Sequence, residues 1–146
     1  MQRAPADYRC GFTLVELAVV VTIVGLVTIP GVLALEQHLN RIAVRSAVAE
    51  AAGALARGRD EALARSDVVS VRIDTLLGTL ALRAHGDRLA LYALGHAHGV
   101  SLSTSRDSIA FDARGLGRGA ANLTLVARRG RAADTLVVSR LGRVRF

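Results

Sequence analysis

The only charged side chain in the longest apolar stretch of this sequence belongs to Glu16. The stretch runs from Phe12 to Leu35. As a helix rising about 1.5 Å per residue it would reach roughly 36 Å, enough to cross a hydrocarbon core of about 30 Å. An ionised carboxylate in such a core costs on the order of 2.5–3.5 kcal/mol. Because the stretch contains no Arg, Lys or His, we expect Glu16 to find its cation outside this segment.

A second group of residues with chemical potential is a set of arginines near the end of the chain. Between Ala113 and Phe146 the acid Asp134 stands alone against Arg114, Arg118, Arg128, Arg129, Arg131, Arg140, Arg143 and Arg145. Concentrated positive charge of this kind can attract a phosphate backbone. The same arginines can equally be ordinary solvated cations, and only Phe111 and Phe146 in this part of the chain could stack on bases. The sequence leaves both interpretations open.

Enzyme chemistry has little support in the sequence. His96 and His98 are spaced like two ligands on one face of a strand, but no pair of Cys or acidic residues follows at the spacing of a metal site. The serines form no G-x-S-x-G motif. The glycine-rich segment 115–119 lacks the Lys-Ser/Thr end of a phosphate-binding loop. We therefore predict that the protein is not an enzyme and uses neither a metal nor another cofactor.

The first half of the chain has the composition of a long helix. Residues 36–66 are rich in Ala, Leu, Glu and Arg, which favour helix. Pro30 followed by Gly31 predicts a kink or a local melt, since proline removes a backbone hydrogen bond. The apolar stripe predicted for the second part of the helix consists of Leu35, Leu39, Ile42, Ala49, Ala52, Leu55, Ala56 and Leu63.

From Val68 onward the apolar residues recur with period two. The pattern predicts six or seven short strands separated by glycines, with Gly86-Asp87 as the turn of a hairpin. A long amino-terminal helix followed by short strands indicates an α+β fold. We expect the first half of the helix to span a membrane and the second half to pack on a mainly antiparallel β-sheet.

The residues around Glu16 resemble a known processing site. Gly11-Phe12-Thr13-Leu14-Val15-Glu16, followed by the apolar run, looks like the start of type IV pilins and of the pseudopilins of type II secretion. The resemblance implies that a prepilin peptidase cleaves between Gly11 and Phe12 and that the new amino terminus of Phe12 is methylated. It also implies that Glu16 pairs with the amino terminus of a neighbouring subunit, which would offset the cost of its burial.

The second half of the chain resembles the GspH/FimT group of minor pseudopilins and minor pilins. The resemblance lies in residues 109–115, in 123–125 and in the ending 137–145 with its Gly142-Arg143-Val144-Arg145 sequence. In the secretion branch, such subunits join a short periplasmic pseudopilus. In the pilus branch, FimT-like minor pilins are linked to DNA uptake, which would make Arg143, Arg145 and Arg140 the candidate DNA contacts here.

These resemblances imply a three-part organisation: a cytoplasmic leader at 1–11, a transmembrane and filament-core helix at 12–35, and a periplasmic pilin domain at 36–146. The expected location is the bacterial inner membrane, crossed once, and then a pseudopilus or pilus after assembly. The expected partners are other pilins or pseudopilins, the prepilin peptidase and the inner-membrane assembly platform. The leading expectation is a minor pseudopilin of type II secretion, and the alternative is a DNA-binding minor type IV pilin.

Overall fold

The structure, a computed structural model, describes residues 11–118, 122–139 and 142–145. The expected leader up to residue 10 and the candidate DNA contact Arg140 lie outside the described residues. The chain divides into two compact units, Met1–Glu36 and Gln37–Phe146. In chain order the elements are α1 (Leu14–Arg65), β1 (Val69–Asp74), β2 (Thr79–Ala84), β3 (Asp87–Tyr92), α2 (Leu94–His98), β4 (Ser101–Thr104), β5 (Ser108–Phe111), β6 (Gly117–Arg118), β7 (Leu123–Arg129), β8 (Ala132–Val138) and β9 (Val144–Arg145).

Helix α1 remains α-helical through Pro30, so the local melt predicted there is wrong. A proline withdraws only its own N–H donor, and the turns on both sides keep theirs. The helix ends where the sequence predicts. Ser66 takes a positive φ of 51°, and the N–H of Asp67 donates to the carbonyl of Ala62 at 3.1 Å. This is the Schellman arrangement that closes many helices.

The buried face of α1 differs from the predicted stripe. Leu39, Ile42 and Leu63 are exposed, and Leu55 is the one member of that stripe that is fully buried. The reason is the closeness of the sheet: a Cβ added at Gly58 would lie 2.9 Å from Cγ2 of Val71. Such a distance selects small side chains, and the residues that are buried on α1 are Val44, Ala47, Val48, Ala51, Ala54, Leu55 and Ala62.

The strands form two antiparallel sheets. The five-stranded sheet has the order β3-β2-β1-β5-β6, and the four-stranded sheet has the order β4-β7-β8-β9. The described residues thus form nine strands where the sequence predicts six or seven, because β6 and β9 are only two residues long and leave no visible alternation. The short helix α2 was not predicted either. The mainly antiparallel pairing is confirmed.

The turn between β2 and β3 lies one residue earlier than predicted. The turn residues are His85 and Gly86, with φ values of 51° and 91°, while Asp87 already pairs with Ala84. A two-residue turn of type I′ needs positive φ at both positions. The prediction of Gly86-Asp87 rested on glycine and aspartate as typical residues of hairpin turns.

One core joins the second part of α1 to both sheets. Its largest fully buried side chains include Phe111 from β5, Leu82 from β2, and Leu125 and Leu136 from β7 and β8. No polar or charged residue is buried within the described ranges. Alternation is strict on β1, where Val69, Val71 and Ile73 face the core, so the opposite face of this sheet carries the polar side chains.

The carboxylate of Asp112 organises the connection between β5 and β6. Its Oδ1 accepts hydrogen bonds from the N–H groups of Arg114 and Leu116, both at 2.9 Å. The Leu116 bond is the main cause that holds the pKa of Asp112 below its ordinary value. The Arg114 bond and the positive charges of Arg114 and Arg118 act in the same direction, while partial desolvation opposes them.

Asp112→Ala is expected to lower the free energy of unfolding at neutral pH, with a loss that shrinks in acid. Because the folded pKa is lowered, the stabilisation is complete above the unfolded pKa of about 3.9 and disappears as the pH falls through the folded pKa. Urea unfolding of the full chain in mild detergent, from neutral pH to about pH 2.5, measures this. Asp107→Ala is the control, since no side-chain hydrogen bond of Asp107 occurs among the described residues. A loss for Asp112→Ala that does not change with pH would contradict the assignment.

The turn after β1 packs directly on the start of α2. Gly78 has a φ of 63°, and a Cβ at this position would lie 2.7 Å from the Cα of Gly95. The N–H of Gly95 donates to the carbonyl of Gly78 at 2.8 Å. This backbone contact needs glycine at both positions, and nothing in the local sequence announces it.

Gly78→Ala is expected to destabilise the protein by at least about 2 kcal/mol, from a left-handed alanine together with a backbone clash. Gly86→Ala is the matched control, because Gly86 also has positive φ but open space around its Cβ position. The control is expected to lose only about 1 kcal/mol. Equal losses in urea unfolding would show that the Gly78–Gly95 contact adds nothing beyond backbone strain.

Candidate functional site

The Gly11–Phe12 bond precedes the helix. Residues 11–13 have no regular secondary structure, and α1 begins at Leu14. The side chain of Phe12 is 82% exposed. A peptide bond in exposed, non-helical chain has its carbonyl and N–H free of the helical ladder.

Glu16 lies in the first turn of α1. The hydroxyl of Thr13 accepts a hydrogen bond from the N–H of Glu16 at 3.2 Å, so Thr13 caps the helix and Glu16 holds the third position of a capping box. A carboxylate at this place also interacts favourably with the helix dipole. The Thr13-x-x-Glu16 spacing is present in the sequence, but the sequence analysis assigned Glu16 only a role in assembly and did not predict the cap.

The amino-terminal part of α1 presents an apolar surface on every side. All the side chains described between Phe12 and Leu35 are exposed. An 18-residue part of this helix has a mean hydropathy of 2.5, so the helix is long and apolar enough to cross a membrane, judged by length and composition alone. An uncovered apolar surface of this extent is typical of a segment that meets lipid or another protein.

Arg143 and Arg145 lie close together at the end of the chain, both exposed. A tight turn positions them, in which the carbonyl of Ser139 accepts from the N–H of Gly142 at 2.9 Å and the hydroxyl of Ser139 accepts from the N–H of Arg143 at 3.2 Å. Gly142 has a φ of 70°, and a Cβ there would lie 3.3 Å from the ring of Phe111. The Gly-Arg-x-Arg sequence therefore has a structural role at its glycine and presents its arginines outward.

Arg59 of α1 joins these two arginines. Arg59, Arg143 and Arg145 line one concavity of about 490 Å³, together with Asp60. The Nε atom of Arg59 is buried and has no hydrogen-bond acceptor among the described residues. An orphaned donor of this kind costs on the order of 1–3 kcal/mol unless an acceptor reaches it. Sequence reasoning missed Arg59 because only the folded chain brings α1 beside β9.

The other arginines of the carboxy-terminal stretch are dispersed. Arg129 donates from Nη1 to the carbonyl of His98 at 2.7 Å. Arg131 lines a different concavity of about 340 Å³ with Arg41 and Arg45 of α1. Among the described residues, Arg129 and Arg131 therefore lie apart from the concavity of Arg143 and Arg145, although all four are close in sequence.

The histidines lie in different positions from those considered for a metal site on a strand. His96 and His98 lie on α2 and not on a strand. His98 Nε2 contacts Glu50 Oε2 at 2.7 Å, and His85 Nε2 contacts Asp67 Oδ2 at 2.6 Å. Within the part of the chain that the structure describes, no three His, Cys, Asp or Glu residues come together as a metal site.

Comparison with known proteins gives one family match and several structural ones. Residues 7–32 match the prokaryotic N-terminal methylation motif. The type IV minor pilin FimU of Pseudomonas aeruginosa superposes with a TM-score of 0.60 at 19% identity, covering 70% of this chain and 87% of that chain. The minor pseudopilin EpsH from the Type 2 Secretion System of Vibrio cholerae gives 0.55 at 15% identity, covering 70% and 94%. No sequence among the curated proteins matches this chain.

The motif match contains Gly11, Phe12 and Glu16, and the structural matches extend over most of the described chain. At these identities the superpositions establish the fold, and they confirm the predicted α+β class. The chain therefore carries the prokaryotic N-terminal methylation motif on the fold of type IV pilin-like minor pilins and pseudopilins.

Proposed function

We propose that this protein is a structural, non-catalytic subunit of a type IV pilin-like filament. The observation that carries the proposal is the methylation motif at residues 7–32, placed at the start of a helix with an uncovered apolar surface. The leader 1–11 is removed by a prepilin peptidase between Gly11 and Phe12, and Phe12 is then N-methylated. An exposed, non-helical cleavage site supports this step.

The helix at 12–35 serves two environments in succession. Burial of each large apolar side chain contributes about 1.5–3 kcal/mol, and the fourteen or so large apolar positions of this segment are exposed in the chain alone. A bilayer covers them first, with the domain 36–146 in the periplasm, and neighbouring helices cover them in the filament. The inner-membrane assembly platform transfers the subunit between the two.

Glu16 makes the packing of this helix in the filament specific. The cap of Thr13 uses the N–H of Glu16 and leaves the carboxylate without a cation among the described residues. A methylated amino terminus of a neighbouring subunit is a cation of the correct charge. Pairing within the filament fixes the axial register, since an unpaired carboxylate in an apolar environment is costly.

Glu16→Ala is expected to leave cleavage and methylation intact and to lower incorporation into filaments at least tenfold. The Thr13 cap involves the backbone of residue 16 and survives the substitution, so helix loss is not the cause. Mass spectrometry of the mature chain and quantification in sheared filaments measure the two effects. Glu36→Ala, which removes an exposed carboxylate from the same helix, is the matched control, and normal incorporation of Glu16→Ala would refute the pairing.

We further propose the type II secretion pseudopilus as the filament. The likeness of residues 109–115 and 137–145 to the H-type minor pseudopilin supports this choice. In this role the sheet domain contacts other minor subunits, and loss of the protein retains folded export substrates in the periplasm. A deletion strain that secretes normally but loses pilus function would place the protein in the pilus branch.

The alternative is a minor pilin that binds DNA at its carboxy-terminal end. The observation that favours it is the convergence of Arg143, Arg145 and Arg59 on one concavity. Phosphate oxygens would pair with the guanidinium groups that line it.

Arg143→Gln/Arg145→Gln is the substitution that tests the alternative, with the full chain in neutral detergent and duplex DNA at several salt concentrations. If these residues contact phosphates, the double variant reduces the slope of log K against log salt by about 2. Arg41→Gln/Arg45→Gln removes the same charge from another surface as control. Unchanged binding in the first variant excludes the carboxy-terminal site.

A further inference from the structure

The outer face of the five-stranded sheet carries a set of arginines that the function proposed above does not use. On β2 and β3, Arg83 pairs with Arg88 next to an irregularity of the ladder, where the register shifts between Leu82 and Arg83. On β1, Arg72 pairs with Ala81 on one side and with Ser108 on the other. All three arginines are exposed, and cross-strand partners project from the same face of a sheet.

The strand registers align Arg83 and Arg88 with Arg118 in one continuous row across the sheet. Ser70 pairs with Arg83 and with Ala110, and Ala110 pairs with Arg118 at the far edge. At about 4.8 Å between strands, Arg83 on β2 lies three strands, or roughly 14 Å, from Arg118 on β6, and Arg88 on β3 lies four strands, or roughly 19 Å, from it. Among the described residues, none of these arginines has a carboxylate within salt-bridge distance.

Most of the acidic side chains near this face already have a hydrogen-bond or ion-pair partner. Asp67 contacts His85 at 2.6 Å, and Asp74 accepts hydrogen bonds from the N–H groups of Leu76 and Leu77. Asp112 accepts two N–H bonds near Arg118. Asp107 lines, together with Asp67, a concavity of about 610 Å³ whose lining also includes Ser70, Arg72, Arg83 and Ser108.

A like-charged cross-strand pair is unfavourable for folding, so the Arg83–Arg88 pair opposes the stability of the sheet that presents it. A bound anion would make the closeness of Arg83 and Arg88 favourable, since two guanidinium groups can share the oxygens of one phosphate. The hydroxyl of Ser70 donates to the carbonyl of Arg83 at 3.4 Å, and the neighbouring hydroxyl of Ser108 is a further donor of the kind that contacts phosphate. The centre of the face thus combines positive charge, hydroxyls and a shallow concavity.

We propose that this outer face, centred on Arg72, Arg83 and Arg88, binds the phosphate backbone of a nucleic acid duplex. The centre of the arginine-bearing rows consists of alanines and serines, and their one large apolar side chain, Leu91, pairs with Ala81 on the edge strand β3. The face therefore lacks a large apolar anchor at its centre, where a protein interface needs one. They also contain no aromatic side chain among the described residues for the bases of a single strand. The separation of roughly 14 Å between Arg83 and Arg118 is comparable to a major groove of about 12 Å, so these two arginines reach phosphates on both sides of the groove.

The test uses the full chain in neutral detergent, titrated into duplex DNA of mixed sequence at several salt concentrations. Arg83→Gln/Arg88→Gln is expected to weaken binding at least tenfold at low salt and to reduce the salt slope by about 2, equally for any duplex sequence. The control Arg41→Gln/Arg45→Gln removes two exposed arginines from α1, which line a different concavity, and is expected to change the slope by less than about 0.5. Circular dichroism is expected to show that the Arg83/Arg88 variant unfolds at the parent temperature or above it, because a repulsive pair has been removed.

Several outcomes would overturn the proposal. Absence of duplex binding by the parent does so, and so does an equal loss in the two variants, which would show an effect of net charge alone. Loss only in Arg143→Gln/Arg145→Gln would assign the binding to the other surface. Parent binding to vesicles containing phosphatidylglycerol, lost in the Arg83/Arg88 variant and without duplex binding, would assign the face to lipid headgroups. A variant that unfolds at a lower temperature would assign Arg83 and Arg88 a structural role.

Discussion

The close approach of α1 to the five-stranded sheet is the contact on which the rest of the folded domain depends. Where Gly58 faces Val71, the distance leaves no room for even a Cβ without movement of its neighbour. The buried face of α1 is therefore built from alanines and valines, with Leu55 as its one large member. Interiors this tightly packed tolerate little change in volume, which fixes the helix against both sheets.

The same helix meets opposite demands at its two ends. Between Phe12 and Leu35 its side chains are mostly large, apolar and exposed, as the proposed transfer from lipid to a bundle of like helices requires. Beyond this segment the buried residues become small and occupy one face only. One continuous helix can satisfy both demands because helix formation depends on the backbone, while side-chain size decides what each stretch packs against.

The arginines that the structure describes lie in several small groups. Antiparallel strands distribute the carboxy-terminal arginines, so that Arg129 holds the carbonyl of His98, Arg131 joins α1 residues, and Arg143 and Arg145 meet Arg59. The sheet face adds Arg72, Arg83 and Arg88, which are distant from that end in sequence. Each surface carries only a few charges, which limits the mutual repulsion of a chain with a formal net charge of +7.

The sequence by itself determined the class of the fold and the amino-terminal motif, because both depend on local patterns. Glu16 alone among apolar residues is readable without a structure, and so are the end of α1 near Ser66 and the alternation on β1. The tertiary structure alone decided which face of α1 is buried, since Leu39 and Ile42 satisfy the helical period as well as Val44 and Val48 do. It also decided that Arg59 joins Arg143 and that Arg83 opposes Arg88, because register and helix–sheet distance arise from contacts between segments remote in sequence.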